Sequence, residues 1–271
     1  MLEFLSYGFI RRALIAGSLI SVVCAVLGVV LVLRRLSLIG DGLSHVTFGS
    51  VALAMVLNVY PLAVSLPVVV VSSLGILRMT ERAGIYGDAA IGVVSSVGIA
   101  CGILLASIAG GFNVDLFSYL FGSILSISQA EVITAVIVSC AVLTTVYYYL
   151  DEIFSITFDE EFARASGLPV DRINIIIMVL TAITVVLAMK VVGIMLTSAL
   201  LVLPAVTAFQ NARGFRNAML IAVFASLASL VSGVALSFSL DLPAGASIVA
   251  VNVVFFGFAL IVRHMAEGGT R

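Results

Sequence analysis

The chain has 271 residues, of which 62% are hydrophobic and 10% are charged, and its formal net charge is −1. Soluble proteins carry about 25% charged residues, so this chain has too few polar groups to cover a soluble surface of its size. The composition excludes an ordinary soluble enzyme, a disordered protein and a nucleic-acid-binding protein. It predicts an all-α polytopic transmembrane helical bundle in a lipid bilayer.

Apolar runs that could cross a membrane follow one another along the chain, most of them separated by short loops. A transmembrane helix needs about 20 mostly apolar residues. Nine runs approach that length: 13–33, 38–57, 62–77, 89–108, 132–150, 173–189, 194–209, 218–238 and 245–262. The seventh run is short and could form a broken helix with the sixth, so eight spans is the alternative. The amphipathic stretch 112–127 is expected to lie in the membrane interface or to re-enter. We predict one transmembrane domain over residues 1–271.

Arginine and lysine are distributed unequally between the two sides that alternating loops would define, and cytoplasmic loops carry the excess of these residues. One side receives Arg11, Arg12 and Lys190. The other receives Arg34, Arg35, Arg78, Arg82, Arg164, Arg172, Arg213, Arg216, Arg263 and Arg271. The second side is therefore predicted to be cytoplasmic, together with the C-terminus.

The longest predicted cytoplasmic loop, residues 151–172, is unusually rich in charge. Within it, residues 159–166 predict one short helix, because acidic residues occupy its first turn and Arg164 lies near its end. Gly167 and Pro169 end it. Phe158, Phe162 and Ala165 would form an apolar face. A solvated connector is one interpretation, and a cytoplasmic partner that covers this face is the other.

The strongest candidate site inside a span is the pair Asp41 and His45, in the segment LIGDGLSHVT. Four residues turn a helix through about 400°, so both side chains lie on one face. His45 is expected about 12 Å past the helix start. A carboxylate and an imidazole suit Zn²⁺ or another first-row divalent ion. Gly40 and Gly42 would let a neighbouring backbone approach.

Two structural alternatives to metal binding stay open for this pair. Asp41 and His45 could simply contact each other, or Asp41 could cap a helix that starts one turn later. One chain offers two ligands, whereas a closed zinc site has four. Two copies around a two-fold axis would supply two carboxylates and two imidazoles, which predicts a homodimer with the second span near the axis.

The sequence lacks the residues that ATP hydrolysis and nucleophilic catalysis require. No Gly-Lys-Ser or Gly-Lys-Thr occurs, so the Walker A route to ATP hydrolysis is missing. His264, the second histidine, lies past the last span, which leaves no credible nucleophilic triad. The protein is therefore not expected to be an enzyme. The three cysteines lie in apolar runs and are predicted to be buried: Cys24, Cys101 and Cys140.

Several sequence blocks together resemble the permease subunit of ABC-type zinc, manganese and iron importers, the metal ABC-3 permease family. The blocks are LRRLSLIGDGLSHVTFGSVALA at 33–54, DAAIGV at 88–93, VDLFSYLFG at 114–122, AMKVVGIMLTSALLVLPAVTA at 188–208, and DLPAG at 241–245. The segment FDEEFARASGL at 158–168 fits the family's cytoplasmic loop. Lys190 resembles zinc-type members, whereas Ser123 stands where some of them have an acidic residue.

The resemblance implies a type II ABC importer membrane domain that works as a homodimer with two copies of a separate ABC ATPase. A periplasmic or extracellular metal-binding protein would deliver the ion, and the protein would reside in a prokaryotic cell membrane. The family's metal-path positions fall on Asp41 and His45. Its docking segment falls on Phe158, Asp159, Glu160, Glu161, Phe162 and Arg164.

These expectations combine into one function, import of a divalent metal ion without a tightly bound cofactor. Zn²⁺ is favoured, with Mn²⁺ or Fe²⁺ next. A cobalamin- or siderophore-type permease and a stand-alone metal carrier or channel are the alternatives. Because imidazole must be neutral to bind a metal, import should weaken in acid.

Overall fold

The computed structural model describes residues 8–108 and 127–268 of the chain. These residues form eleven α-helices and no strand. In chain order, the helices are α1 (Gly8–Leu33), α2 (Ile39–Val56), α3 (Pro61–Glu81), α4 (Gly87–Ile108), α5 (Gln129–Tyr148), α6 (Leu150–Phe158), α7 (Glu160–Ala165), α8 (Val170–Val192), α9 (Ile194–Asn211), α10 (Phe215–Leu240) and α11 (Ala244–Gly268).

Each of the nine predicted spans coincides with one helix of the described residues. Eight helices are long and apolar enough to cross a membrane, and α9 is a shorter apolar helix over Leu196–Asn211. The prediction of eight or nine spans is therefore confirmed: within the described part of the chain, eight helices are candidate membrane spans, and α9 is the shorter ninth apolar helix. Of the stretch 112–127, all but Ile127 lies outside the described residues, so its predicted interfacial or re-entrant placement stays a prediction.

Gly193 separates the sixth and seventh predicted spans. Its φ of 97° and ψ of 161° are a backbone conformation that residues with a side chain rarely adopt. The single glycine therefore ends α8 and begins α9, which is the break that the short seventh run predicted.

The helices differ sharply in how much of their surface is buried within one chain. In α1, α2 and α8, 67% of the most apolar window is buried, against 17% in α4 and 22% in α5. The prediction for the cysteines is correct for Cys24 but wrong for Cys101 on α4 and Cys140 on α5, which are exposed. An apolar run that faces lipid looks the same in sequence as one that faces the protein core.

Polar contacts join the loops at one end of the bundle, which we call the charged end. Arg34, after α1, contacts Glu160 of α7 at 3.6 Å. The Asn174 amide at the start of α8 donates to Glu81 at the end of α3. Arg216 at the start of α10 contacts Asp151 of α6 at 2.8 Å. These loops are the ones that the arginine distribution assigns to a single side.

Candidate functional site

Asp41 lies in the first turn of α2, close to the charged end. The helix begins at Ile39, and Leu38 precedes it without a side-chain cap. Asp41 is therefore inside the helix rather than its cap, so the capping alternative does not hold. A carboxylate in a first turn is stabilised by the helix dipole. His45 follows one turn later, about 9 Å from the helix start and not the expected 12 Å.

The two side chains share one face, as their spacing predicts. Nε2 of His45 lies 3.5 Å from Oδ2 of Asp41, and the side chains are 31% and 52% exposed, respectively. The two residues therefore contact each other, as one alternative held. The distance is nevertheless longer than that of an ordinary hydrogen bond. Both side chains also remain partly exposed, so a further group could approach them.

Glycines hold α2 tightly against two neighbours. A Cβ atom on Gly42 would lie 2.6 Å from Cγ2 of Ile91 on α4, and one on Gly40 would lie 2.5 Å from Cδ1 of Leu201 on α9. Gly98 of α4 lies directly against the backbone of α2, because a Cβ there would lie 2.8 Å from the backbone nitrogen of Val46. The close approach expected at Gly40 and Gly42 is therefore present.

A partly exposed stripe of α2 carries the polar pair, and the ring of Phe48 on this stripe packs against Gly102 of α4. Asp41 is exposed, whereas His45, Phe48 and Met55 are half-buried. We call these four residues the open face. Its carboxylate and imidazole are two ligands for a borderline divalent ion. Among the described residues, no three His, Cys, Asp or Glu side chains are grouped closely enough to hold a metal. One chain thus supplies an incomplete ligand set.

The other charged residues considered from the sequence lie, where the structure describes them, at or near the ends of helices. Glu131 closes a capping box with Ser128 at the start of α5. Asp241 ends α10 with a left-handed φ of 54°. His264 is exposed near the end of α11. Asp115 and the side chain of Lys190 lie outside the described residues.

The charged loop forms two short helices instead of the single one predicted. Residues 159–166 correspond to α7, whose N-cap is Asp159, which accepts a hydrogen bond from the Phe162 N–H at 2.8 Å. Gly167, with φ 84°, ends α7 as expected. The additional helix, α6, precedes it. Its nine residues were missed because Leu150 and Asp151 adjoin an apolar span, which made them look like a span end and a loop.

The predicted apolar face of α7 is exposed. Phe158 and Phe162 are 61% and 68% exposed, and Ala165 is exposed as well. Ala163 is the buried residue of α7 and anchors the helix to the rest of the chain. Two exposed phenylalanines beside a charged surface are typical of a protein-binding patch.

Ion pairs fix the charged side chains of α7. Arg164 contacts Glu160 at 3.3 Å and Asp171 at 2.9 Å, and its hydrogen bond with Asp171 raises the pKa of Arg164. Arg34 is mostly buried, and burial lowers its pKa while Glu160 and Glu81 act in the opposite direction.

Four residues near α7 were not assigned to the docking surface from the sequence: Phe154, Phe215, Arg213 and Arg216. Phe154 and Phe158 pack with Phe215 of α10, with ring centroids 5.4 and 6.2 Å from the latter. Beside them lies a cavity of about 550 Å³ lined by Phe154, Phe215, Arg213 and Arg216. The four-residue spacing of Phe154 and Phe158 was the available signal. The contribution of α10 had none, because it depends on a contact between distant parts of the chain.

Comparison with known proteins places this geometry in a family. The family model described as "ABC 3 transport family" matches residues 6–263. The manganese transport system membrane protein MntC of Halalkalibacterium halodurans is 30% identical over 95% of this chain and 88% of its own. The high-affinity zinc uptake system membrane protein ZnuB of Haemophilus influenzae is 31% identical over 93% of this chain and 97% of its own.

A solved structure has the same fold. It is titled "PsaBC from Streptococcus pneumoniae in complex with Fab", and the superposition has a TM-score of 0.83 at 30% identity. It covers 95% of this chain and 94% of that one. The helix arrangement described above is therefore shared along nearly the whole chain.

Proposed function

The chain belongs to the ABC 3 transport family, and on that premise we propose that this multi-pass membrane protein is the permease subunit of an ATP-driven importer of divalent metal ions. The observation that carries the metal assignment is the Asp41–His45 pair on the open face of α2. Relatives named for manganese and for zinc transport support the substrate class.

The ion passes between two copies of the chain. One copy offers a single carboxylate and a single imidazole, and a two-fold axis beside the open face would double both. Four ligands would match the coordination number that zinc prefers. The contact of 3.5 Å between the two side chains is weak enough for an ion to displace, and a transported ion must bind loosely enough to leave.

Zn²⁺ is the first ion to test, because imidazole nitrogen suits it well. Mn²⁺ and Fe²⁺ follow, because carboxylate oxygen suits them and the named relatives include a manganese system. The ligand pair itself accepts all three ions, so the selectivity has to come from the geometry of the assembled dimer.

A separate ABC ATPase docks on the charged end, which is cytoplasmic in this proposal, as is the C-terminus. The docking surface comprises Phe158, Asp159, Glu160, Glu161, Phe162 and Arg164, with α6 beside it. The exposure of Phe158 and Phe162 supports this role. A metal-binding protein delivers the ion at the opposite side of the membrane. Residues 1–271 act as one transport domain with the 151–172 loop as its coupling segment.

Metal uptake into vesicles that contain the permease and its ATPase tests the site. We expect Asp41→Asn and His45→Ala each to lower Zn²⁺ uptake at least about tenfold, because each removes a ligand from both copies. Asp88→Asn is a matched control, since Asp88 lies in the first turn of α4. His264→Ala is the control for the imidazole. Uptake at the wild-type rate in both site variants would contradict the assignment.

Co-purification with the ATPase tests the docking surface. Phe162→Ala removes a ring that is 68% exposed and should lower the amount of ATPase retained. Phe224→Ala on α10 is the matched control, because Phe224 is 77% exposed outside the loop. Equal retention in both variants would argue against a docking role for α7.

A further inference from the structure

The first residue of α7 forms an ion pair with the turn that leads into α2. Nη2 of Arg34 lies 3.6 Å from Oε2 of Glu160, and the side chains are 12% and 39% exposed. Arg164 contacts the other carboxylate oxygen of Glu160 at 3.3 Å. The carboxylate therefore lies between two guanidinium groups, and one of them belongs to a distant part of the chain.

The turn that carries Arg34 has a defined backbone. The Leu36 N–H donates to the Leu31 carbonyl at 2.8 Å, and the Ile39 N–H donates to the Leu36 carbonyl at 3.1 Å. Arg35 has a left-handed φ of 58°, which fixes the direction in which the chain enters α2. Six residues separate Arg34 from Asp41. A short turn with a defined backbone therefore connects Arg34 to the first turn of α2.

Apolar packing does not fill the space around this ion pair. A cavity of about 550 Å³ lies between the turn and the α6–α7 segment, and Arg35, Glu81 and Thr157 line it together with the pair. The Thr157 hydroxyl is buried without a hydrogen-bond partner. Because the segment and the turn are not close-packed here, α7 has room to move, and the ion pair bridges the gap as it does so.

We propose that the Arg34–Glu160 ion pair transmits movement of α7 to α2 and thereby couples the ATPase to the metal pair. This inference rests on the proposed function, in which α7 binds the ATPase and the open face binds the ion. When the ATPase displaces α7, Glu160 draws Arg34 with it, and the first turn of α2 reorients Asp41 relative to His45. Arg34 is a positioning residue, since it lies outside the open face and is largely buried.

The test measures Zn²⁺ uptake and phosphate release in the same vesicles and takes their ratio. Arg34→Gln, Glu160→Gln and the double variant are compared with wild type in complex with the ATPase. Arg82→Gln is the matched control, because Arg82 is an exposed arginine at the same end. Arg34→Lys keeps the positive charge and serves as the rescue variant. Glu160→Gln breaks the same ion pair at its more exposed residue. If Arg34→Gln is unstable, the ratio can still be measured in Glu160→Gln.

We expect both single variants to lower the uptake per ATP about fivefold or more. Arg34→Gln, which lies outside the docking surface, should also retain the ATPase. The double variant should be no worse than either single one, because residues that act as one pair are not additive. Arg34→Lys should recover most of the ratio. A wild-type ratio in Arg34→Gln, additive losses, or loss of the ATPase from that variant would overturn the inference. A wild-type complex that hydrolyses ATP without moving Zn²⁺ would contradict the proposed function itself.

Discussion

At the scale of single residues, Asp41 and His45 are the proposed ligands of the transported metal ion. The two side chains lie 3.5 Å apart, and both are partly exposed. Their mutual contact therefore does not prevent either of them from binding another group. Asp41 lies close to the charged end, so its carboxylate is only partly removed from solvent. A second copy with the same pair, or a bound cation, would give this carboxylate a further charge partner.

Zinc should stabilise the wild-type protein through these two residues. A ligand that binds only the folded state at about 100 times its Kd contributes about 2.7 kcal/mol. We therefore expect excess Zn²⁺ to raise the thermal midpoint of the detergent-solubilised protein by several degrees. The shift should vanish in His45→Ala and persist in His264→Ala, measured by a thermal unfolding assay. An equal shift in both variants would place the stabilising ion elsewhere.

At the scale of helices, the position of α2 depends on close backbone contact with α4. The two run parallel, since Gly42 faces Ile91 and Gly49 faces Gly98 one heptad later. The contact between Gly49 and Gly98 is possible only because neither residue has a side chain. The helix that carries the Asp41–His45 pair is therefore held in place by glycines.

Gly98→Val should destabilise the protein and disturb the metal pair together. Overpacked sites typically cost about 1–3 kcal/mol, and here the added atoms meet backbone that cannot rotate away. We expect a lower thermal midpoint and reduced Zn²⁺ uptake. Gly92→Val on the same helix is the control, because a Cβ at Gly92 meets nothing within 4 Å. Similar losses in both variants would show that replacing either glycine of α4 has the same effect, and would exclude the contact with α2 as the cause.

The N-cap of α7 should matter for docking because the helix has six residues. Asp159→Ala removes the acceptor of the Phe162 N–H bond, which costs about 1 kcal/mol of helix stability. That loss corresponds to about fivefold weaker binding of the ATPase. Asp159→Asn keeps the cap but removes the charge, so it should bind nearly normally. Equal weakening in both variants would assign the effect to charge instead, as measured by titration of the ATPase.

The sequence could predict where the helices lie in the chain but not which of their faces are buried. Membrane spans are apolar on all faces, so Cys24 and Cys101 look alike although one is buried and the other exposed. The pair Asp41–His45 was predictable because a four-residue spacing is local. The contact between Phe154 and Phe215, like the one between Arg34 and Glu160, joins segments far apart in the chain, and no local pattern announces it.

At the scale of the whole molecule, the proposed metal site needs a second copy to complete its ligand set. The described residues of one chain bring together one carboxylate and one imidazole on α2, and the open face presents both outward. A two-fold axis beside that face would bring the two α2 helices together. In such a dimer, Phe48 of one copy would lie close to Phe48 of the other.

Cysteine cross-linking in membranes should therefore join two copies through the open face. With exposed Cys101 and Cys140 replaced by alanine, Phe48→Cys should form a covalent dimer on mild oxidation, because a disulfide needs Cα atoms within about 7 Å. Buried Cys24 stays in place. Phe224→Cys is the control, since Phe224 is 77% exposed on α10, away from the open face. Saturating Zn²⁺ should change the yield at Phe48 only. Cross-linking at Phe224 but not at Phe48 would place the axis elsewhere and leave Asp41 and His45 without their second set of ligands.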